Sequence, residues 1–299
     1  MVTAPFISVI VPTYNRRGEL AACLRTLEDQ SYHGHYEIVV VDDGSTDDTI
    51  PFLNERAGPA GRVRVHRKPH SGRASTRNAG LALARGTIAA FIDDDCRADR
   101  EWLSVIARAF EGDRSLAGLE GRTVTDQQLV NSMTHNPTNP GGGYFGTGNI
   151  AYRMDVLRAV GGFDAAFDPY HNEDLDLGLR VSALGPVQFC PAMVVHHPVF
   201  PVQWRGELAK VRYQLRSDLL LYRKHPAYYR SRREGGDPRR YFFYYYLWRE
   251  YLSHLNKYRH EIVKAPGRYG AYVLLSTLKR LYLLTLFPWF IEHYAPTHH

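Results

Sequence analysis

The first hundred residues predict an α/β fold on a mostly parallel, Rossmann-like twisted sheet, and three observations carry that reading. Short β-branched runs recur without polar alternation: "FISVIVP" at 6–12, "YEIVVV" from 36 and "TIAAFID" at 87–93. Such runs suit strands covered on both faces. Stretches with apolar residues at helical spacing separate them, and strand–helix–strand order demands crossovers on both faces of one sheet. Each run also ends in polar residues: Thr13 and Tyr14, Asp42 and Asp43, then Asp93 to Asp95. In open α/β sheets, ligands gather beyond the carboxyl ends of the strands.

The elements follow in order. "GELAACLRTLEDQ" at 18–30 places Leu20, Leu24 and Leu27 on one helical face. After the second strand, Thr46, Asp47 and Asp48 are caps for the next helix. "RVRVH" at 62–66 is a third strand, "GRASTRNAGLALARG" at 72–86 a helix closed by Gly86, and 87–93 the fourth strand. From about residue 112 the pattern turns irregular, and "HNPTNPGGGYFGTGN" at 135–149 reads as loop. "RMDVLRAVGGF" and "NEDLDLGLRVSALG" are short helices, and "MVVHHP" at 193–198 contains the end of a short strand. The residues at 203–225 predict a long basic helix, "PAYYRSRREGGDPRR" a linker and "YFFYYYLWREYL" the start of an aromatic tail. The expected organisation is one α/β domain over 1–200, regular over about 1–110 and irregular over 111–200. A helical, basic and aromatic region fills 201–299.

Composition narrows the class. At 299 residues and 44% hydrophobic, the chain has enough apolar surface for one large domain with an extension. Cys23, Cys96 and Cys190 lie far apart with no C-x-x-C pair, which argues against a disulfide framework or a zinc ribbon and for a reducing cytoplasm. The opening "MVTAPFISVIVPTYN" lacks the charged start and cleavage site of a signal peptide. A net charge of +6 suits anionic partners such as phosphates or a lipid surface. Nucleic acid is not expected, because no nucleic-acid-binding signature is present.

Asp93, Asp94 and Asp95 close a buried strand. One reading is a capping cluster that opens the helix "DREWLSVIARAF". The other is a hard-cation site, in which the alternate carboxylates Asp93 and Asp95 face a Mg²⁺ or Mn²⁺ ion whose shell is completed by water and substrate phosphates.

"VIVPTYNR", "VVVDDGSTDDT", "SGRASTRNAGLALARG", "FIDDD", "GTGNIAYRMDVLRAVGGFD" and "EDLDLGLRVSALG", in this order over about 6–198, resemble glycosyltransferase family 2. The resemblance implies a catalytic domain of GT-A fold over 1–200, its nucleotide-binding half at about 1–110 and its acceptor half at 111–200, with a nucleotide-sugar donor and a divalent metal. It implies that Pro12, Thr13, Tyr14 and Asn15 line the base pocket and that Asp42 accepts a hydrogen bond from the base. Arg73 and Arg77 would lie near the diphosphate or the acidic cluster, surface charge being the plainer alternative for each. Asp93 and Asp94 would face the ribose or metal, with Asp95 the direct ligand of a D-x-D motif.

Inverting transfer needs a carboxylate to deprotonate the acceptor hydroxyl. The family's acidic pair falls on Glu173 and Asp174, with Asp174 the expected base; helix capping by Asn172, with acids in the first turn, is the alternative. Adjacent His196 and His197 point to opposite faces of a strand. His196 is expected to complete the metal shell, with His197 its rival. "GGGYFGTGN" would wall the donor sugar, Gly148 letting backbone approach it. Asn149 would either bind a sugar hydroxyl or hold the loop closed.

The apolar stretch at 269–294 is interrupted by Lys279 and Arg280, which argues against a simple transmembrane helix and for a packed amphipathic helix or a membrane-surface one. Processive family members carry Q-x-x-R-W after the acidic pair. Here Gln203, Trp204 and Arg205 stand in another arrangement, so transfer of a single sugar is expected. UDP is the family's default donor base, with GDP and dTDP as alternatives. The acceptor is a hydroxyl compound, with the basic aromatic tail suggesting an anionic or lipid-linked one. The rival readings are a nucleotidyltransferase, for which "PTYNRRGEL" offers arginines but one glycine, and a catalytically silent sugar-nucleotide-binding subunit.

Overall fold

The computed structural model describes residues 4–57, 61–135, 137–168, 171–230 and 249–294. They form two compact units. One contains residues 4–125, 137–168 and 173–198; the other contains 126–135, 171–172 and 199–294. The division thus falls close to residue 200, but two short segments from the expected catalytic domain join the second unit.

In the first unit the strands are β1 (Ile7–Thr13), β2 (Tyr36–Asp42), β3 (Val63–Arg67), β4 (Ile88–Phe91), β5 (Arg97–Ala98) and β6 (Gly118–Val124). The second unit holds β7 (Thr134–His135). β8 (Ile150–Arg153) and β9 (Val187–His196) return to the first sheet. Its order is β3-β2-β1-β4-β8-β6-β9-β5. β1 runs parallel to both β2 and β4, and β3 parallel to β2. Beyond β4 the expectation of a mostly parallel sheet gives way to a mixed one. β8 pairs antiparallel with β4 and β6, β9 parallel with β6, and β5 antiparallel with β9. The reason is connectivity: after β4 the chain does not cross over to a neighbouring parallel strand but runs to the far edge as β5.

Helices cover both faces. α1 (Arg17–Glu28) and α2 (Thr49–Arg56) follow β1 and β2; α3 (Arg73–Leu83), α4 (Trp102–Gly112), α5 (Met154–Ala159) and α6 (Glu173–Ser182) follow. Strand alternation sorts the core into two layers. Val9, Val11, Ile38 and Val40 meet Leu20, Leu24 and Leu27 of α1 and Trp102, Ile106 and Phe110 of α4. Ile10, Ala89, Phe91 and Tyr152 meet Ala74 of α3, Leu157 of α5, and Leu177 and Val181 of α6. α3 ends at Leu83, three residues before the expected stop. Gly86 has a different task there: a Cβ on it would stand 2.6 Å from the Phe6 carbonyl oxygen, so only glycine lets the chain pass this close to β1.

The second unit pairs β7 antiparallel with β10 (Phe200–Pro201). It continues through α7 (Trp204–Lys224), α8 (Pro226–Arg230), α9 (Glu250–Lys257), α10 (Glu261–Lys264) and α11 (Pro266–Tyr294). The expected basic helix at 203–225 is α7. The expected linker begins as α8; residues 231–248 of the linker and aromatic tail, and the closing histidines, lie outside the described residues. Buried Glu261 accepts hydrogen bonds from the Ser132 amide at 2.9 Å, the Ser132 hydroxyl at 2.6 Å and Arg268 Nε at 3.1 Å. Lys279 of α11 pairs with Glu207 of α7. Leu274, Leu278, Leu281 and Leu284 of α11 are exposed. Its stretch Pro266–Pro288 is long and apolar enough to cross a membrane by length and composition, even with Lys279 and Arg280 inside it.

Candidate active site

The register of the parallel strands builds the site. Thr13 stands beside Asp42, and Ile10 beside Phe91, so the residues that follow β1, β2 and β4 emerge at one end of the sheet. Asp93 to Asp95 lie in the turn after β4, where the Cys96 amide donates to the Asp93 carbonyl at 3.0 Å.

Two arginines divide the triplet. Arg16, just before α1, places Nη1 2.5 Å from Asp95 Oδ2 and 3.3 Å from Asp94 Oδ1. The Thr13 hydroxyl donates to Asp94 Oδ2 at 2.7 Å. Asp93 instead accepts from Arg77 Nη2 at 2.8 Å, while Nη1 of the same arginine donates to Glu173 Oε1 at 2.9 Å. Asp94 and Asp95 therefore share a cation, rather than the alternate pair Asp93 and Asp95. Arg77 is buried, and its Nε is without a hydrogen-bond partner among the described residues.

Burial pushes the Asp94 carboxyl up to about 7, a rise that Arg16 and Thr13 oppose and the neighbouring Asp95 and Asp93 reinforce. Burial would raise Asp93 too, but Arg77, then Arg73, hold it below its ordinary value. Burial also works against the charge on Arg77, yet Asp93 and Glu173 more than compensate and raise it.

The histidines face opposite ways, as adjacent strand residues do. His196 lies exposed with Nε2 3.1 Å from Asp99 Oδ1. His197 is the one beside the triplet, its Nε2 3.5 Å from Asp95 Oδ1 and its Nδ1 2.7 Å from the Pro198 carbonyl oxygen. The geometry thus favours His197 over His196 at Asp95. Asp95, His197 and Cys96 bring one potential ligand atom each within 4.8 Å of one another. Burial, with Asp93 and Asp95 nearby, raises the Cys96 thiol well above its ordinary value. The Asp95 carboxylate and the His197 imidazole are donors that suit a divalent ion such as Mn²⁺.

On the β1–β2 side, Tyr14 is partly exposed and stacks on His70, ring centroids 4.4 Å apart. Asn15 adopts φ 52°, and its side-chain oxygen accepts from the Thr46 amide at 2.7 Å. Asp42 is fully buried and spends its carboxylate on the Gly44 and Ser45 amides, at 3.2 and 3.0 Å. Asp43 reaches Lys68 Nζ at 2.5 Å and the Ser71 and Gly72 amides at 3.0 and 3.1 Å. Asp168 caps α3 through the Ala74 and Ser75 amides, at 2.8 and 3.0 Å. Arg73, the first residue of α3, is exposed.

α6 opens with Glu173, Asp174 and Asp176, acids that a helix N-terminus favours. Asp174 is only partly buried, and its Oδ1 accepts from the Leu175 amide at 2.7 Å. Asp176 is locked to Arg180 at 2.7 Å. Asn172, the cap in the alternative reading, turns its side-chain amide to Asp218 at 2.6 Å. The glycine-rich loop is held by buried Glu120, which accepts from the Gly143, Tyr144 and Phe145 amides at 2.6, 3.1 and 2.8 Å. Phe145 seats its ring against Gly178 of α6, where a Cβ would overlap it at 2.1 Å. A Cβ on Gly148 would stand 3.3 Å from Asp93 Oδ2, so this backbone borders the triplet directly. Asn149 is buried and holds the strands: its Nδ2 donates to the Arg122 and Met193 carbonyls, both at 3.0 Å, and its Oδ1 accepts from Trp102 at 2.8 Å. Sequence reasoning missed Arg16 and Asp168, and named Asp43 only by its place at a strand end. Arg16 had a signal, a cation three residues beyond a strand end; Asp168 is remote in sequence and had none.

Solved structures share this architecture. The mannosyltransferase PcManGT from Pyrobaculum calidifontis, in complex with GDP-Man and Mn²⁺, superposes with a TM-score of 0.59 at 19% identity, over 96% of this chain and 88% of that one. Residues 1–349 of TarS from S. aureus, in complex with UDP-GlcNAc, give 0.55 at 18%, over 92% and 86%. The fold is thus that of the GT-A class of sugar-transferring enzymes. Residues 8–161 match the family model described as Glycosyl transferase family 2. Glycosyltransferase AglE of Haloferax volcanii is 34% identical over 234 residues, 71% of this chain and 72% of the relative. The putative teichuronic acid biosynthesis glycosyltransferase TuaG of Bacillus subtilis is 39% identical over 92 residues, 30% of this chain and 36% of its own. The chain belongs to glycosyltransferase family 2 and is a glycosyltransferase.

Proposed function

We propose that this glycosyltransferase is metal-dependent and inverting, and that it moves one sugar from a nucleotide-sugar donor to an acceptor hydroxyl in cell-surface glycan or glycoconjugate synthesis. The observation that carries the reading is the Arg77 bridge, which ties Asp93 of the acidic turn to Glu173 beside Asp174. Donor-side and acceptor-side chemistry are thereby joined through one buried cation.

Asp95 and His197 are the residues suited to hold a divalent ion, which when bound offsets negative charge on the departing diphosphate. Tyr14, with His70 behind it, offers a ring face to the base, and exposed Arg73 a cation to the phosphates. Asp174 accepts the acceptor's hydroxyl proton as that oxygen bonds to the anomeric carbon and the bond to the diphosphate oxygen breaks. Direct displacement inverts the anomeric centre. Glu173 is engaged by Arg77, and Asp174, half-buried at the start of α6, is the carboxylate we assign as base. UDP is the donor base we favour, and GDP is the alternative, both occurring on this fold in the structures above. The exposed leucines of α11 beside Lys279 and Arg280 support contact with an anionic membrane surface on the cytoplasmic side and a lipid-linked acceptor.

Calorimetric titration of UDP, GDP and dTDP, each with and without Mn²⁺, against the wild type and Asp95→Ala tests the proposal. Metal-dependent binding of one nucleotide that Asp95→Ala abolishes is expected. Equal binding with and without metal, or in both proteins, would overturn it.

A further inference from the structure

The Asp94–Asp95 pair already shares one cation supplied by the chain itself. Arg16 reaches both carboxylates through one nitrogen, and the two acids are almost closed off from solvent, with 8% of each side chain exposed. Arg16 differs in one respect: 44% of its side chain is exposed. A guanidinium does not lose its proton near neutral pH, so it can vacate the carboxylates only by moving. It immediately precedes α1, where its carbonyl accepts the Leu20 amide at 3.0 Å, so the guanidinium can leave by side-chain rotation alone while that bond stays in place. Arg16 holds Asp95 by Oδ2 while Oδ1 is the oxygen turned to His197, so a divalent ion between Asp95 and His197 would share one carboxylate with the guanidinium and be repelled by its charge.

We propose that Arg16 is a resident counter-ion that a divalent metal must displace from Asp94 and Asp95, and that it thereby sets the metal affinity of the free protein. This rests on the metal-site reading above. Its consequence is order: metal alone competes with a tethered cation and binds weakly. Metal arriving with a diphosphate binds better, because the freed guanidinium then has a phosphate partner of matching geometry. Arg16 is a positioning residue in this account; its side chain acts through the two acids.

The test is titration with Mn²⁺ alone, read by the loss of the free-ion paramagnetic resonance signal. Wild type, Arg16→Gln, Arg16→Ala, Arg16→Lys and Asp95→Asn are compared, with circular dichroism confirming that each is folded. Arg16→Gln and Arg16→Ala are expected to bind Mn²⁺ about tenfold more tightly than wild type, equivalent to about 1.4 kcal/mol. Arg16→Lys, which keeps the charge, should stay near wild type, and Asp95→Asn should lose binding. A merely structural role for Arg16 would weaken metal binding, not strengthen it. Unchanged or weaker binding in both Arg16→Gln and Arg16→Ala, with wild type binding through Asp95, overturns this inference and leaves the metal site standing. No Mn²⁺ binding by any of the proteins overturns both.

Discussion

Replacing Arg77 by methionine removes the one cation that Asp93 and Glu173 share, and the structure sets the scale of the loss. Arg77 and Glu173 have only 4% and 6% of their side chains exposed, so their pair is shielded, whereas Asp93, at 34%, can recover part of its hydration. Breaking a buried ion pair from one side costs about 3–5 kcal/mol, mostly because the remaining charge is stranded. Asp93 adds little to that figure because water reaches it. Arg77→Met should therefore lower the unfolding free energy by roughly 3–4 kcal/mol in urea denaturation at neutral pH. Adding Glu173→Gln to that variant removes the stranded charge and should restore a good part of the loss, a coupling that a double-mutant cycle measures directly. A loss below about 1 kcal/mol, or a double variant less stable than the sum of the two singles, would show that the bridge is not the buried pair described here.

Three further outcomes are expected. Asp174→Asn should reduce kcat by about 10²- to 10⁴-fold while leaving donor affinity within twofold, and unchanged turnover would remove Asp174 as base. Cys190, partly exposed, should react with a disulfide reagent in the native protein. Cys23, buried and with its thiol raised by burial and then by Asp94, should react only on unfolding, as should Cys96; native labelling of Cys23 would contradict the packing of α1. Glu37 is buried; burial pushes its carboxyl up, but the Ser8 hydroxyl, the Arg85 amide and Arg64 outweigh that and lower it. A carboxyl depressed by folding adds stability above its unfolded value, about 4.3, and loses it as pH falls through the lower folded one. Glu37→Gln should therefore flatten the acid limb of stability against pH, and a limb of the same slope would refute this.

The parallel half of the sheet was readable because each strand is a continuous apolar run whose only neighbours are helices of regular period. Its carboxyl-end residues could be named from position alone, and Thr13 and Asp94 do meet at that end of the sheet. The antiparallel half was not readable: β5 is two residues long, and β9 carries exposed residues in its middle that blur its period. Side-chain direction was the other limit. Strand geometry showed that His196 and His197 face apart, but which of them meets Asp95 depends on the pairing of Arg97 with His196 across β5 and β9. That pairing joins residues about a hundred positions apart. Asn149 posed the same difficulty, since Trp102 and the Met193 carbonyl, which occupy it, come from distant segments.

The three consecutive carboxylates do not act as one charge. Asp93 belongs, through Arg77, to the start of α6, and so to the side where an acceptor would lose its proton. Asp94 and Asp95 belong, through Arg16 and Thr13, to the end of β1, and so to the side where a base would stack on Tyr14. A turn after a short strand makes this division natural, because successive residues there point in different directions. The spacing that suggested a shared ligand for Asp93 and Asp95 presumed that the strand continued through them, but β4 stops at Phe91. It follows that substitutions within the triplet should separate by kind. Asp93→Asn should act mainly on the Arg77–Glu173 bridge, and so on stability and turnover together. Asp95→Asn should act on cation binding and leave stability largely intact, because Arg16, the partner it releases, can turn to water.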